Sequence, residues 1–589
     1  ARPNAPWREE MLAKNRTLTL IAAAIALAVS APATPASAAP REDADAYEYY
    51  FPSSDGITML HADVLRPKGL ANDVKTPVIL TASPYTNHAG GPPLSAPYDP
   101  LTISGPSPRF YDFLNLSGAL TKGYTYVMVD LPGTGGSSGC NDWGGAREQA
   151  AVRAAVEWAA SQSWSNGKVA LLGKSYDGWT GLMGMAQQPE GLAAVVSLEP
   201  VYEGYRYMYM NGIRRPPYAA TMGLFQVIDA IPGSAQDTPQ YHVNGAPQVW
   251  CYPVNLAGNY ADDDPHGLYW EERNLIPTTL GKTTPLFLTQ GFLETNTHTD
   301  GAFQYFNGLA GSENRAWFGQ FDHCRAWETS AACGSAGAGG GQRMAVGKAD
   351  FIEEVMSFLD EHLKGIEPAV EYPTIEVQDT LGRYRAEEEW PPADSRLYQT
   401  SIRSGTYTDS GSGRGDRPAE TQGIWTVSPT LSHDVWLSGE PFITVGVDAV
   451  PNSNLAANVY DVDEEGQLTM ISRGVSLLRG TGTRTASFSM YGQDWPIPAG
   501  HRIAVLISSA NTDIFTHVAT RQTVTVRSAK IELPFLRYDR TQFLPSEGGT
   551  SKLDGYLGGS KTTLTAATIS AAEKPFNLPG PLQPNPAEA

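Results

Sequence analysis

Ser175 stands in the run Gly173-Lys174-Ser175-Tyr176-Asp177-Gly178, directly after the apolar stretch Val169–Leu172 and at the start of a helical pattern. A serine on a tight strand-to-helix turn presents its hydroxyl beside the helix N-terminus, where backbone N–H groups and the dipole favour a developing oxyanion. Asp177 occupies the fifth place, where G-x-S-x-G has glycine, and the glycine follows one residue later. Such a hydroxyl needs a base, and the base needs an orienting carboxylate. Downstream lie His242, His266, His298, His323, His362, His433, His501 and His517. His323 follows the apolar Ala316-Trp317-Phe318 in a loop, which suits a base at a strand's carboxyl end. Leu286–Leu288 leads into Gln290-Gly291-Phe292-Leu293-Glu294, so Glu294 is the expected acid, with Asp300 on the same loop as the alternative. Serine, acid and histidine in that order, each past a strand, form a nucleophilic triad in prospect.

These residues need a sheet to position them. From Tyr47 to about Glu199 the pattern is strand, turn, helix, repeated. Asp55-Gly56-Ile57 to Asp63-Val64 reads as an early hairpin. Pro77–Ala82, Tyr126–Asp130, Val169–Leu172 and Ala193–Leu198 read as buried strands, and Ala146–Ala160 as a helix. Apolar strands alternating with helices predict a parallel sheet covered on both faces. Between about Pro200 and Asn274 the chain turns rich in Tyr, Met and Pro without alternation, which predicts a cap inserted over the sheet's upper edge. Strands resume at Leu286–Leu288 and Ala316–Phe318. Ala349–Leu363 is an amphipathic helix that stops at Gly365. After about Glu371 come short alternating runs, among them Phe442–Val447, Leu455–Tyr460 and Ile503–Ile507, as in an antiparallel sandwich.

The 589 residues are too many for one ordinary domain. With 42 basic against 62 acidic residues, a net charge of −20, the chain is a poor partner for nucleic acid or an anionic membrane. The N-terminus reads as an export signal: Met11, then Lys14 and Arg16, an apolar run from Leu18 to about Ala31, and the small-residue site Ala36-Ser37-Ala38. Residues 1–10 read as extra translated sequence, and a secreted mature chain is expected from Ala39, with no membrane attachment after cleavage. The four cysteines Cys140, Cys251, Cys324 and Cys333 suit disulfides in an exported protein. Three pairings are open; the spacing favours Cys324 with Cys333 and Cys140 with Cys251. No C-x-x-C or close-set His/Cys group suggests a metal.

Trp164-Ser165-Asn166-Gly167-Lys168-Val169, followed by Gly173-x-Ser175-Tyr176-x-Gly178, resembles the X-prolyl dipeptidyl-peptidase and cocaine-esterase (CocE/NonD) group of serine hydrolases. Asp55-Gly56 with Ala62-Asp63-Val64 and Arg66-Pro67 looks like its opening hairpin, and Asp130 with the Gly133–Gly139 turn resembles its D-x-x-G-x-x-x-S-x-G signature. Leu437-Ser438-Gly439 and Asp461–Gly466 look like parts of its C-terminal domain. The resemblance covers nearly the whole mature chain, and its Ser-Tyr elbow accounts for the displaced glycine.

The resemblance implies an α/β class. An α/β-hydrolase domain would span 44–370, with a helical cap at about 200–275. A jelly-roll sandwich would span 371–567, and a loose tail 568–589. It implies that Tyr85, after Pro84, donates its hydroxyl to the oxyanion beside the Tyr176 backbone N–H. It places Asp where Gly291-x-x-Glu294 offers Glu. It implies an acyl-enzyme on Ser175 with His323 as base, no cofactor or metal, and a peptide or small ester as substrate: either an N-terminal Xaa-Pro dipeptide or a small acyl ester or amide. A peptidase of this kind needs a carboxylate for the substrate's α-amine; Glu199 and Glu203 are the candidates, with Asp262, Asp263 and Asp264 as a cap cluster. A reading of another class is a glycan- or ligand-binding protein with an inactive hydrolase domain.

Overall fold

The computed structural model describes residues 41–90, 99–101, 103–215, 233–246, 252–311, 313–328 and 343–588, and the backbone of a short strand at 34–35. Apart from that strand, the export signal, with Cys251, Cys333 and parts of the cap, lies outside the described residues. Cys140 and Cys324 are each disulfide-bonded.

Eleven strands form the first sheet. They are β1 (Thr34–Pro35), β2 (Ala44–Pro52), β3 (Met59–Pro67), β4 (Thr76–Ser83), β5 (Thr125–Asp130), β6 (Ser165–Lys174) and β7 (Leu192–Leu198). After the cap hairpin β8 (Tyr209–Met210) and β9 (Ile213–Arg214) come β10 (Leu286–Gly291), β11 (Arg315–Gly319), β12 (Ile375–Gln378) and β13 (Tyr384–Glu387). The order is β1-β2-β3-β5-β4-β6-β7-β10-β11-β12-β13. The run from β5 to β12 is parallel, and both margins are antiparallel. Strands β4 and β5 are buried along their whole length because they have helices on both faces. Helices α1 (Tyr111–Ser117) and α4 (Phe351–Lys364) cover one face; α2 (Ala146–Ser161) and α3 (Tyr176–Gln187) cover the other. Gly365 ends α4 at φ 71°, a left-handed cap that glycine adopts without strain. In the β2–β3 hairpin Asp55 Oδ1 accepts from the N–H groups of Ile57 (3.0 Å) and Thr58 (2.9 Å), which fixes the turn. Among the described residues no helix is long and apolar enough to cross a membrane.

The C-terminal unit has two antiparallel sheets of seven and four strands. Its central strand, Thr523–Phe535, alternates buried and open positions as a half-covered strand should. Two expectations are corrected. The segment from Glu371 is not yet sandwich: β12 runs parallel to β11, and β13 pairs back on it, so the first sheet extends to Glu387. A four-residue apolar strand carries no mark of the sheet it joins. The tail after 568 is not loose either: Gln583 bonds in both directions with residues 537–539, and the Thr541 N–H donates to Glu588 at 2.9 Å. Its Pro/Ala-rich composition conceals main-chain pairing.

The two units meet through buried charge. Arg385 of β13 grips Asp494 with two bonds of 2.9 and 2.7 Å, and Asp494 also accepts from Trp436 and Ser438. Both partners are enclosed, so removing either one would cost about 3–5 kcal/mol. Gln320, in the loop that carries His323, donates to Gln493 at 2.7 Å. The sandwich thereby braces one of the site's loops.

Candidate active site

Ser175 sits between β6 and α3 at φ 64°, ψ −120°. A non-glycine residue there stores roughly 1–3 kcal/mol of strain, held by the surrounding structure. Ser175 N–H donates to the Leu198 carbonyl and its own carbonyl accepts from Trp179 N–H, both at 2.8 Å. A Cβ on Gly173 would lie 2.4 Å from the Asp177 carbonyl carbon and oxygen, so only glycine fits before the turn. Gly178 packs where a Cβ would be 3.0 Å from the Leu198 carbonyl oxygen. The Asp177 at the fifth place is buried and accepts from Arg109 Nε at 2.6 Å. The same guanidinium covers the Tyr85 ring at 4.4 Å. The displaced glycine thus makes room for a charge that ties the elbow helix to the Tyr85 loop.

The loop after β10 delivers Glu294 and the loop after β11 delivers His323. Their side chains meet with His323 Nδ1 2.7 Å from Glu294 Oε2. The other carboxylate oxygen accepts from the N–H groups of Asn296 and Thr297. Lys174, next to the serine, donates to the His323 carbonyl at 3.0 Å, so the imidazole loop is fastened to the elbow strand. Burial works against a charge on Glu294, yet His323, Glu199 and the Asn296 amide hold it at about 2. Burial, with help from the Lys174 charge, lowers His323 below its ordinary value, so the ring is neutral near pH 7 and able to accept a proton.

Asp300, the alternative acid, is engaged elsewhere: it accepts from Arg206 at 3.1 Å and lies 3.7 Å from Arg215. Neither candidate for the α-amine offers an open carboxylate. Glu203 is buried against Arg206 at 2.7 Å, where its charge is already met. Glu199 is 1% exposed and lies 3.3 Å from His323 Nδ1. Burial and the neighbouring Glu294 raise it well above the carboxylate range, so it is a neutral acid that donates to Glu294. The sequence placed Glu199 past a strand but not behind the imidazole. Its backbone, at φ 46°, is in the left-handed region, a signal seen only in three dimensions.

Tyr85 is half-buried near the elbow, its ring edge-on to Tyr176 at 6.1 Å. Burial raises its pKa, which keeps the phenol a proton donor. The Tyr176 hydroxyl donates to Glu148 at 2.7 Å, which turns its side chain away from the elbow mouth. Burial and Asp142 push Glu148 up to about 8. Arg109, Lys174 and Glu148 carried no motif, so the sequence did not mark them. A neutral imidazole backed by a buried carboxylate, on a loop fastened to the strand that carries a strained serine, is the equipment of nucleophilic acyl transfer. Two His/carboxylate groups among the described residues could hold a cation: Glu199, Glu294 and His323, which belong to this site, and His61, Asp63 and His88.

Residues 55–325 match the family described as X-Pro dipeptidyl-peptidase (S15 family). A Streptomyces avermitilis protein, provisionally named Xaa-Pro dipeptidyl-peptidase, is 25% identical over 476 residues, covering 74% of this chain and 64% of its own length. The chain therefore spans less than two thirds of that relative. A Bacillus cereus protein with the same provisional name is 22% identical, covering 80% of this chain and 86% of its own. Among solved structures, a CocE/NonD family hydrolase from Staphylococcus aureus superposes with a TM-score of 0.62 at 15% identity, over 86% of this chain and 96% of that one. An aminopeptidase from a marine-sediment Thaumarchaeota archaeon gives 0.61 at 17% identity, over 86% and 99%. Residues 55–325 are thus similar to the X-Pro dipeptidyl-peptidase (S15) family, and the two units together have the fold of the CocE/NonD hydrolase structures.

Proposed function

We propose that the protein is a secreted Xaa-Pro dipeptidyl-peptidase working through an acyl-enzyme on Ser175. The observation that carries this reading is the strained Ser175 elbow, in a region that matches the S15 family. His323 takes the Ser175 proton as Oγ attacks the carbonyl carbon. The oxyanion is held by the Tyr85 hydroxyl and the Tyr176 backbone N–H. His323 then gives the proton to the leaving amine. Water, deprotonated by the same ring, releases the acyl group and restores the serine. Glu294 orients the ring and stabilises the imidazolium. Export rests on the Met11–Ala38 pattern and is checked by the N-terminal residue of protein recovered from culture medium, expected at Ala39.

The test sets Gly-Pro and Ala-Pro anilides against short-chain nitrophenyl esters, with Ser175→Ala as control. The peptidase reading expects anilide cleavage that is lost in the variant and on blocking the substrate's amine. Ester cleavage alone would move the protein to small-ester hydrolysis. Without Ser175-dependent turnover of either substrate, the hydrolase reading fails, and binding by the sandwich becomes the better account.

A further inference from the structure

A second cluster of imidazoles and carboxylates lies at the antiparallel margin of the first sheet, and the hydrolytic mechanism does not use it. His61 and Asp63 stand two apart on β3 and so share a face. Strand register sets Glu48 of β2 opposite Asp63, and Tyr50 opposite His61. Asp130 ends β5, one step beyond the Ala62–Val129 pair. His88 enters from the loop that begins with Tyr85. The Nε2 atoms of both histidines turn toward Asp63: His88 Nε2 is 3.1 Å from Oδ2 and His61 Nε2 is 3.9 Å from Oδ1. Glu48 Oε1 is 3.4 Å from His61 Nε2. The ligand atoms of His61, Asp63 and His88 all lie within 4.8 Å of one another. In a tetrahedral site with bonds of about 2.0–2.1 Å, ligand atoms are separated by about 3.3 Å, a spacing that the His88–Asp63 contact of 3.1 Å matches and the His61–Asp63 contact of 3.9 Å approaches.

Each ring is also held from behind. Asp130 Oδ2 bonds His61 Nδ1 at 2.8 Å, and Asp237, from the cap, bonds His88 Nδ1 at 2.7 Å. Asp130 is itself fixed by Thr86 at 2.6 Å and the Gly136 N–H at 2.8 Å. A carboxylate on the far nitrogen of each of two converging imidazoles is the second layer that metal-ligating histidines carry. Tyr241 stacks on His88 with ring centres 4.4 Å apart, and Tyr50 donates to Glu48 at 2.5 Å. His61 and Asp63 are 1% exposed, yet His61 Nε2 and Asp63 Oδ1 meet no hydrogen-bond partner of acceptable geometry. A buried polar pair left so is costly unless something sits between them.

Charge points the same way. Four carboxylates, Glu48, Asp63, Asp130 and Asp237, gather here, and among the described residues their only cationic partners are His61 and His88. Tyr111 and Tyr241 also face Asp63, and burial keeps both phenols protonated. We propose that His61, Asp63 and His88 form a buried structural site for a divalent ion of the zinc class, with the Glu48 carboxylate beside His61 adding negative charge. Two imidazoles and one carboxylate are a borderline-soft set that suits zinc better than calcium or magnesium. Because His88 shares its loop with Tyr85 and Asp237 lies in the cap, the ion fastens both to the sheet.

The test is calorimetric titration of zinc chloride into chelator-treated full-length protein, with cobalt absorption to report geometry. The expected result is one ion per chain and tetrahedral cobalt bands. Affinity should fall about 100-fold or more in His61→Gln and His88→Gln, and about 10-fold in Asp130→Asn. It should be unchanged in Ser175→Ala and His323→Gln. If the histidine variants do not fold, Asp63→Asn, of equal shape, decides: the cobalt bands must vanish while circular dichroism is retained. Absence of binding to folded wild-type protein, undiminished binding in those variants, or loss in His323→Gln in place of His61→Gln would each overturn the site.

Discussion

The two imidazole–carboxylate clusters are made of the same groups and behave in opposite ways. At the elbow, one partly covered imidazole, its side chain 17% exposed, faces a carboxylate pair that shares a proton, with Lys174 nearby. Burial and the lysine then lower His323, and the ring is a base. At the sheet margin two enclosed rings face four carboxylates, and the same burial is outweighed, so His61 holds its proton to about 9. The number of negative charges per ring, rather than burial alone, separates a proton acceptor from a cation or a metal ligand.

The sharpest way to separate the clusters is to remove the elbow's nucleophile. Ser175→Ala should lower kcat/KM by about 10⁴-fold or more in anilide assays, with unchanged circular dichroism. Tyr85→Phe comes next: loss of one oxyanion donor should cost about 10²–10³-fold in kcat with little change in KM. Because His88 lies on the same loop, a His88→Gln loss of rate that zinc cannot influence, while Tyr85→Phe is silent, would break the link between the regions.

Glu199 offers a finer test. Glu199→Ala removes the donor to Glu294, leaves that carboxylate with more of its charge toward His323, and raises the imidazole pKa. The acid limb of the kcat/KM–pH profile should move up by about one unit, whereas Glu199→Gln, which keeps a donor, should leave it in place. The smallest effect is on stability. The His61 pKa is raised in the folded chain, so its contribution is complete below about 6.5 and is lost as pH rises through about 9. In chelator, the difference in Tm between wild type and His61→Gln should therefore shrink from pH 6.5 to 9.5. With zinc present it should persist, because deprotonation favours the ion.

The strands β4, β5, β6, β7, β10 and β11 were legible as apolar runs, and α4 as a periodic one, because their signals are local. Glu294, His323 and Ser175 were legible as candidates because each follows such a run. Membership of β12 and β13 in the first sheet was not, since four residues fit either sheet. Arg109, Lys174 and Glu148 carry no motif.

By itself the sequence determined the order of elements, the elbow with its paired glycines, and the alternation of the sandwich, since those follow from neighbours along the chain. Tertiary structure alone decided that Glu294 meets His323 while Asp300 goes to Arg206 and Arg215, and that Glu199 backs the imidazole. It alone brought Glu48, His61, Asp63, His88, Asp130 and Asp237 together. Their convergence depends on cross-strand register and loop paths over nearly two hundred residues, and protonation depends on distance and burial, which sequence spacing does not encode.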